Sequence, residues 1–485
     1  MNSSYRSIST RTFTLICLLL LILRLWIGAI TPLTETTEAR YGEIARKMLE
    51  TGNWVNLLNT YNSPFWAKPP LYAWLSTASM YLLGINEFAL RLPSIIVSAL
   101  SAFLVFITAA PELGKDKAAI ATIILISSFG FFVASDTVMT DPTLLFAVTL
   151  GLCAWWKNHQ ENQPLWAYSF FVAIGLGMLA KGPLAIVLIG MPIFFYLLIH
   201  QEWKQFFAEL PWIGGIFISL VAPGIWYVLA EIKTPGFLEY FLLGEHIYRF
   251  IKPGWTGDLY GNAHTQTHGT IVIYALLALL PWSLVFIMRI IRPQKNLVKE
   301  IKTNRFKQFL TLWLVTQIIF FCLPANIIWP YYLPAAPAFA ILCADQINWS
   351  PATNKRIIFS SISLTIALAL LGTYMLKKYP ENHLKSGKSV VEKYIEKSTK
   401  NPGELIYLSS KRLFSLEFYS SGKAQWIRST NSLHDFLKNK KNFYLITSKE
   451  QFNELPSDIK SNFLIEDRYE KSALNLMLLI KNQTH

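Results

Sequence analysis

The feature that most constrains this chain is a succession of long apolar runs. They lie at roughly 13–32, 92–110, 117–134, 141–156, 166–180, 183–199, 211–230, 270–289, 308–325, 329–345 and 356–376. A helix crossing a bilayer needs about 20 predominantly apolar residues, and several of these runs approach that length. Composition agrees: 53% of the 485 residues are hydrophobic and 15% charged, where a soluble domain carries about 25% charged. Residues 377–485 differ, because short apolar runs at 405–408, 425–427, 443–446 and 474–480 alternate with polar, helix-like stretches. The expected fold class is a polytopic all-α transmembrane bundle of about 11–13 helices with a small C-terminal α/β soluble domain. The expected domains are 1–376 and 377–485.

Orientation follows from charge. The run 13–32 follows Arg6 and Arg11 but exceeds a signal peptide's apolar core of about 7–15 residues, and no small-residue cleavage site follows. It reads as an uncleaved first helix with a cytoplasmic N-terminus. Residues 289–307 carry seven Lys or Arg, as a cytoplasmic loop should. The segment 69–84 opens on Pro69-Pro70 and spans only 16 residues, so it is expected to embed without crossing. Loops 33–68, 135–141, 181–183, 231–269 and 325–329 then share the external face with the C-terminal domain. The net charge of +14 reflects this positive-inside bias, and no nucleic-acid partner is expected. Cys17, Cys153, Cys322 and Cys343 all lie in or beside apolar runs and show neither disulfide nor metal spacing.

Charge concentrates in the first external loop, where Glu35, Glu38, Arg40 and Tyr41 surround the start of an amphipathic helix, Thr37 to Glu50. Ala39, Ile44, Ala45, Met48 and Leu49 form its apolar face. Two readings stand beside each other: an interfacial helix with solvated charges, or carboxylates aimed into a cavity. Lys68 precedes Pro69-Pro70 at a helix entrance and either reaches lipid headgroups or binds phosphate. Asp136 and Asp141 flank a short turn, where Asp141 before Pro142 has the form of an N-cap. Lys181 sits between two apolar runs with almost no loop, which calls for an anionic partner. Glu245, His246 and Arg249 fall within five residues of the longest external loop. They are suited to phosphate binding, metal binding or proton transfer.

The stretches TEARYGEIARKMLETGNW, FWAKPPLYAWL, NEFALRLPS, MTDPTLLF, MLAKGPLAIVL, GEHIYRF, LLPWSL and NIIWPYYLPAAPA together resemble the integral-membrane GT-C glycosyltransferases. Within them the likeness is to the lipid A 4-amino-4-deoxy-arabinose transferase branch, distantly related to protein O-mannosyltransferases. The resemblance covers roughly residues 30 to 345 and implies a polyprenyl-phosphate-sugar donor and a periplasmic active site in the bacterial inner membrane. The family's first loop carries Asp-Glu-x-Arg-Tyr; here Thr37 occupies the aspartate's place, with Glu38, Arg40 and Tyr41 matching the rest. Glu35 lies two residues upstream and is a candidate substitute. The arabinose-transferase branch has Glu-Lys-Pro where this chain has Ala67-Lys68-Pro69.

Transfer of a sugar from a lipid phosphate requires a nucleophilic acceptor, a stabilised leaving phosphate and exclusion of water. Glu38, Glu35 and Asp141 are accordingly the catalytic candidates, and Arg40, Lys68, Lys181 and Arg249 the phosphate-binding ones. Tyr41, Glu245, His246 and Asp136 are candidates for positioning substrate. No cofactor is required by the motifs; a divalent metal is the one candidate, with ligands unassigned. The expected acceptor is lipid A or another envelope glycolipid, with membrane lipids surrounding the bundle. Transfer to a protein hydroxyl is the alternative within the enzyme class, and a lipid or sugar transporter or flippase the alternative outside it.

Overall fold

The computed structural model describes residues 8–261, 264–291, 297–347, 352–439, 442–468 and 473–481. Part of the basic stretch 289–307 therefore lies outside the described residues. The chain divides into two compact units. One comprises Met1–Gly28, Asn53–Leu75 and Arg91–Ala367, and the other Ala29–Gly52, Ser76–Leu90 and Leu368–His485.

Five described helices are individually long and apolar enough to cross a membrane: Thr10–Ile30, Glu87–Leu113, Pro164–Lys181, Trp212–Lys233 and Ala352–Lys378. A sixth candidate, expected as one span at 270–289, is bent by 106° between Thr270–Ala278 and Trp282–Ile291. Pro281 lies in the break, and proline cannot donate to the helical ladder. The run 329–345 is likewise not one span: Trp329–Ala335 is a 3-10 helix containing Pro330 and Pro334, followed by the ten-residue helix Ala336–Asp345. The expected span 117–134 divides at Ser128 into Lys115–Ser127 and Phe129–Ala134. The segment after Pro69-Pro70 forms a helix of only 13 residues, Leu71–Leu83, about 20 Å long and short of a bilayer core.

The first unit is a helical bundle around buried indoles: Trp155, Trp156, Trp282 and Trp313 are each at most 2% exposed. Indole N–H groups need acceptors when buried; Trp313 donates to the Pro334 carbonyl at 2.7 Å and Trp282 to Ser127 Oγ at 3.0 Å. Helix Asp141–Glu161 runs away from the short turn at 135–140, and Pro164–Lys181 returns beside it. Helix Leu184–His200 leaves again, and Arg305–Cys322 comes back against it. The start of the first and third of these and the end of the second and fourth thus meet at one end of the bundle. Arg24, buried in the first helix, pairs with Asp136, donates to the Val133 carbonyl at 2.9 Å and lies 4.8 Å from the Phe132 ring centre.

The second unit carries a five-stranded sheet. Its strands are β3 (Glu404–Leu408), β4 (Gln425–Ile427), β5 (Phe443–Ser448), β6 (Phe463–Arg468) and β7 (Leu476–Lys481), after the small hairpin β1 (Leu58–Thr60) and β2 (Ser63–Pro64) of the first unit. The order is β4-β3-β5-β7-β6. β4, β3 and β5 are parallel, and β7 and β6 close one side antiparallel. Alternation along β3 feeds two cores: Leu405 and Tyr407 pack with Val391, Leu416 and Leu478, whereas Ile406 and Leu408 pack with Leu433, Leu445 and Leu479. A sheet buried on both faces explains the near-continuous apolar text of these strands.

The helix Thr37–Thr51 belongs to this unit and overturns the solvated-charge reading of the first loop. Glu43, Arg46 and Lys47 are 0%, 2% and 1% exposed. Arg46 grips Glu43 through two donors at 2.6 and 2.9 Å and reaches Glu50 at 2.9 Å. Lys47 lies 3.2 Å from Glu43 and 3.5 Å from Glu417 of helix Phe414–Tyr419, which in turn pairs with Arg412. Burial pushes the Lys47 amine below its usual range, although Glu43 and Glu417 counter it. A charge network with every partner in place is tolerable inside a protein, and a broken one is not.

Candidate active site

The bundle end described above holds a cavity of about 300 Å³. Lys68, Lys181, Glu245, His246, Arg249 and Asn326 form its polar side, and Leu184, Val187, Phe241, Phe250, Phe320 and Phe321 its apolar wall. A π-helix, Glu239–Tyr248, supplies Glu245 and His246 and runs directly into Arg249. Such widened turns recur at functional sites.

Glu245 is the hub. Lys68 Nζ donates to it at 2.9 Å, Arg249 Nη1 at 3.1 and 3.2 Å, and the Tyr240 hydroxyl at 3.1 Å. Its side chain is 3% exposed, while those of Lys68 and Arg249 retain 20% and 22%. Burial pushes the Glu245 carboxyl up, but Lys68 and Arg249 overcome it and hold the group below the ordinary carboxylate range. Arg249 also meets Asp258 at 3.4 Å, and its guanidinium is held above its usual range by these carboxylates against the effect of burial.

Lys181 pairs with Asp141 at 2.6 Å and lies 4.6 Å from the Tyr331 ring centre. Asp141 therefore does not cap its helix, as its place before Pro142 predicts. Thr140 is the N-cap residue, without a side-chain cap bond, and the aspartate answers the lysine of the returning helix. His246 links the two groups of cations. Its Nδ1 faces the Phe241 carbonyl at 2.8 Å and its Nε2 the Lys181 carbonyl at 2.9 Å. A neutral imidazole can donate to only one of these acceptors. Burial nonetheless pushes the ring below its usual range.

Backbone conformation keeps this turn tight. Gly182 has φ +77°, and a Cβ there would stand 2.7 Å from Phe241 Cζ and 3.0 Å from His246 Nε2. Two further ties hold the loops in register. The Tyr260 hydroxyl accepts from the Trp66 backbone at 3.0 Å and donates to the Pro64 carbonyl at 3.0 Å. Asn326 donates to the carbonyls of Arg249 at 2.6 Å and Lys252 at 3.0 Å.

Among the sequence-derived candidates, Lys68, Glu245 and Arg249 meet directly, and Lys181, Asp141 and His246 form the adjoining group. Asp136 does not line this cavity; expected to position substrate, it closes the buried ion pair with Arg24. In the second unit, Glu35 accepts from the Ser415 backbone at 2.5 Å, so its carboxylate ties the first loop to the helix Phe414–Tyr419. Burial raises Glu35 to about 7, despite the lowering effect of the Ser415 bonds. Glu38, 8% exposed, accepts from the Thr34 hydroxyl at 3.2 Å. Arg40 lies 5.9 Å from the Phe414 ring centre, and Tyr41 is buried. Tyr240, Asn326 and Tyr331 are not marked as site residues by local sequence; Asn326 and Tyr331 act on the Arg249 backbone and on Lys181, both distant in the chain. Among the described residues no three His, Cys, Asp or Glu side chains converge as metal ligands, and Ala67 offers none beside Lys68.

Comparison with known proteins gives this geometry a context. The family profile described as dolichyl-phosphate-mannose-protein mannosyltransferase matches residues 12–241. The fold matches the crystal structure of ArnT from Cupriavidus metallidurans bound to undecaprenyl phosphate with a TM-score of 0.80, at 17% identity, covering 98% of this chain and 99% of that one. The chain is therefore similar in sequence to aminoarabinose transferases and shares the fold of one. An undecaprenyl phosphate-alpha-4-amino-4-deoxy-L-arabinose arabinosyl transferase of Edwardsiella ictaluri is 25% identical over 362 residues, 72% of this chain and 62% of the relative. A protein of the same description from Pectobacterium carotovorum is 28% identical over 354 residues, 69% of this chain and 60% of the relative. The matched region thus spans about three-fifths of these relatives' length. A weaker likeness of fold extends to the Archaeoglobus fulgidus oligosaccharyltransferase, with a TM-score of 0.52 at 11% identity, over 92% of this chain and 70% of that one.

Proposed function

We propose that this GT-C chain transfers a sugar from a polyprenyl-phosphate donor to a cell-envelope glycolipid, lipid A or a relative of it. The reaction is placed at the periplasmic face of the bacterial inner membrane. The observation that carries the reading is a cavity lined both by three cationic side chains and by a set of apolar ones. Such a cavity suits a phosphate joined to a long hydrocarbon chain. The solved GT-C neighbour holding undecaprenyl phosphate and the curated arabinosyl transferases support it. Residues 377–485 are proposed to be an external domain that recognises the acceptor.

In the proposed step the bond from the sugar's anomeric carbon to the phosphate oxygen breaks, with its electron pair left on oxygen. The acceptor oxygen forms the new bond. Lys68, Arg249 and Lys181 stabilise the charge that develops on the leaving phosphate, and the guanidinium adds a fork that matches phosphate oxygens. If the acceptor is a phosphomonoester, it is already anionic near neutrality, since its second pKa is about 6, and needs no base. If it is a hydroxyl, a carboxylate must take its proton, and Glu38 is the candidate. Asp141 fixes Lys181, and His246 fixes the backbone that presents it. Glu35, with Tyr41, is assigned to holding the first loop, and Arg40 to phosphate.

Sugar transfer from undecaprenyl-phosphate donors by the purified protein in detergent tests the reading. A transporter or flippase would show none. Mass spectrometry of lipid A and of glycoproteins from cells lacking the gene names the recipient. Loss of a protein-bound sugar with unchanged lipid A would favour transfer to a protein hydroxyl, the second reading that the mannosyltransferase profile supports.

A further inference from the structure

The cations at the cavity are already neutralised by protein groups. Lys68 and Arg249 share Glu245, Arg249 also meets Asp258, and Lys181 holds Asp141. Three positive side chains thus face three carboxylates before any substrate enters. The two lipids that must occupy this site differ in charge. The donor's phosphate is a diester with a single negative charge. After transfer it is a monoester carrying about −1.5 to −2 at neutral pH. A phosphate on Lys68 and Arg249 would lie beside Glu245, which touches both and is almost completely buried. Repulsion between like charges in such a place is strong and poorly screened.

Resting on the donor-site reading above, we propose that Glu245 is a specificity-determining residue that discriminates between donor and spent carrier. Its fixed charge admits the phosphodiester and disfavours the phosphomonoester that the reaction creates, so the product is expelled. The geometry distinguishes this role from simple orientation of Lys68. A neutral amide at Glu245 would still accept from Lys68 and Arg249 through its one oxygen and would turn its NH2 to the Tyr240 hydroxyl, yet would let the more highly charged lipid bind tightly.

The test compares two probes at pH 8 in detergent: undecaprenyl phosphate and its methyl ester, which has the donor's charge without a sugar. In Glu245→Gln the affinity for undecaprenyl phosphate should rise on the order of tenfold more than that for the methyl ester. Turnover should then slow through product inhibition, with an initial burst. Asp258→Asn, which removes the other carboxylate from Arg249, should shift the ratio in the same direction by less, and it carries the test if Glu245→Gln fails to fold. Equal shifts for both probes, or weaker binding of both, would overturn the inference while leaving the donor-site reading intact. Binding of neither probe by the unaltered protein would overturn the donor-site reading, and this inference with it.

Discussion

At the residue scale, the cavity works by pairing each charge with a defined neighbour. Lys68→Ala removes a charge-assisted contact and leaves Glu245 with Arg249 and the Tyr240 hydroxyl; charged hydrogen bonds are worth about 1.5–3 kcal/mol. Affinity for undecaprenyl phosphate should therefore fall by about ten- to a hundredfold, as measured by binding in detergent. Arg249→Lys keeps the charge but loses the planar fork, so it should restore little of what Arg249→Ala loses. Glu35 offers a separate readout through pH. Its carboxyl titrates near 7 in the folded protein against an ordinary value of 4.5, so the folded state binds more protons between those values. Stability of the second unit should fall as pH rises from about 4.5 to about 7. Glu35→Gln should flatten that dependence in thermal unfolding scans; an unchanged slope would assign it to another group. Most of these residues were visible as charged outliers in apolar text. Their partners were not: the spacing of Asp141 before Pro142 signals a cap, and only the return of a second helix turns it toward Lys181.

At the scale of elements, prolines and one glycine set the site. Helices Asp141–Glu161 and Pro164–Lys181 each begin with proline in the first turn, where the missing N–H is harmless. Gly182 and Pro183 then bring the chain round against the π-helix. Gly182→Ala places a methyl group against Phe241 and His246 at a positive φ. Strain and overpacking there should cost about 1–3 kcal/mol, read as a lower melting temperature and a raised KM for donor. Glu43→Gln tests the buried network of the first-loop helix. Removing that carboxylate leaves Arg46 with Glu50 and Lys47 with Glu417 as their remaining ion-pair partners, at a cost of up to about 3–5 kcal/mol. Periodicity located these helices well because hydrophobic faces repeat regularly. It failed at 270–289 and 329–345, where the apolar text is continuous but Pro281, Pro330 and Pro334 interrupt the ladder. It failed also for the charged face of Thr37–Thr51, because burial of charge depends on Glu417 and Arg412, more than 360 residues away.

At the scale of the whole molecule, the account assigns separate tasks to the two units. The helical bundle supplies the cationic, half-apolar cavity. The second unit joins the first-loop helix to the helix Phe414–Tyr419 through Glu43, Lys47 and Glu417. Both the membrane bundle and the α/β character of the C-terminal region were legible from hydropathy and strand-length apolar runs. The membrane order of loops was legible only as an alternation, since short and broken helices hide the number of crossings. Asp136→Asn, which breaks the pair with Arg24, should lower the yield of folded protein without changing KM per folded molecule. If the acceptor is a hydroxyl, Glu38→Gln should abolish transfer while leaving membrane abundance unchanged; normal transfer to a hydroxyl acceptor would falsify a role for that carboxylate as base. The central claim is that Lys68 and Arg249 hold the lipid phosphate. Its most direct test is equilibrium binding of undecaprenyl phosphate to the purified protein and to the double variant Lys68→Ala, Arg249→Ala. The account predicts saturable binding that the double variant loses while remaining folded; equal binding by both proteins would contradict it.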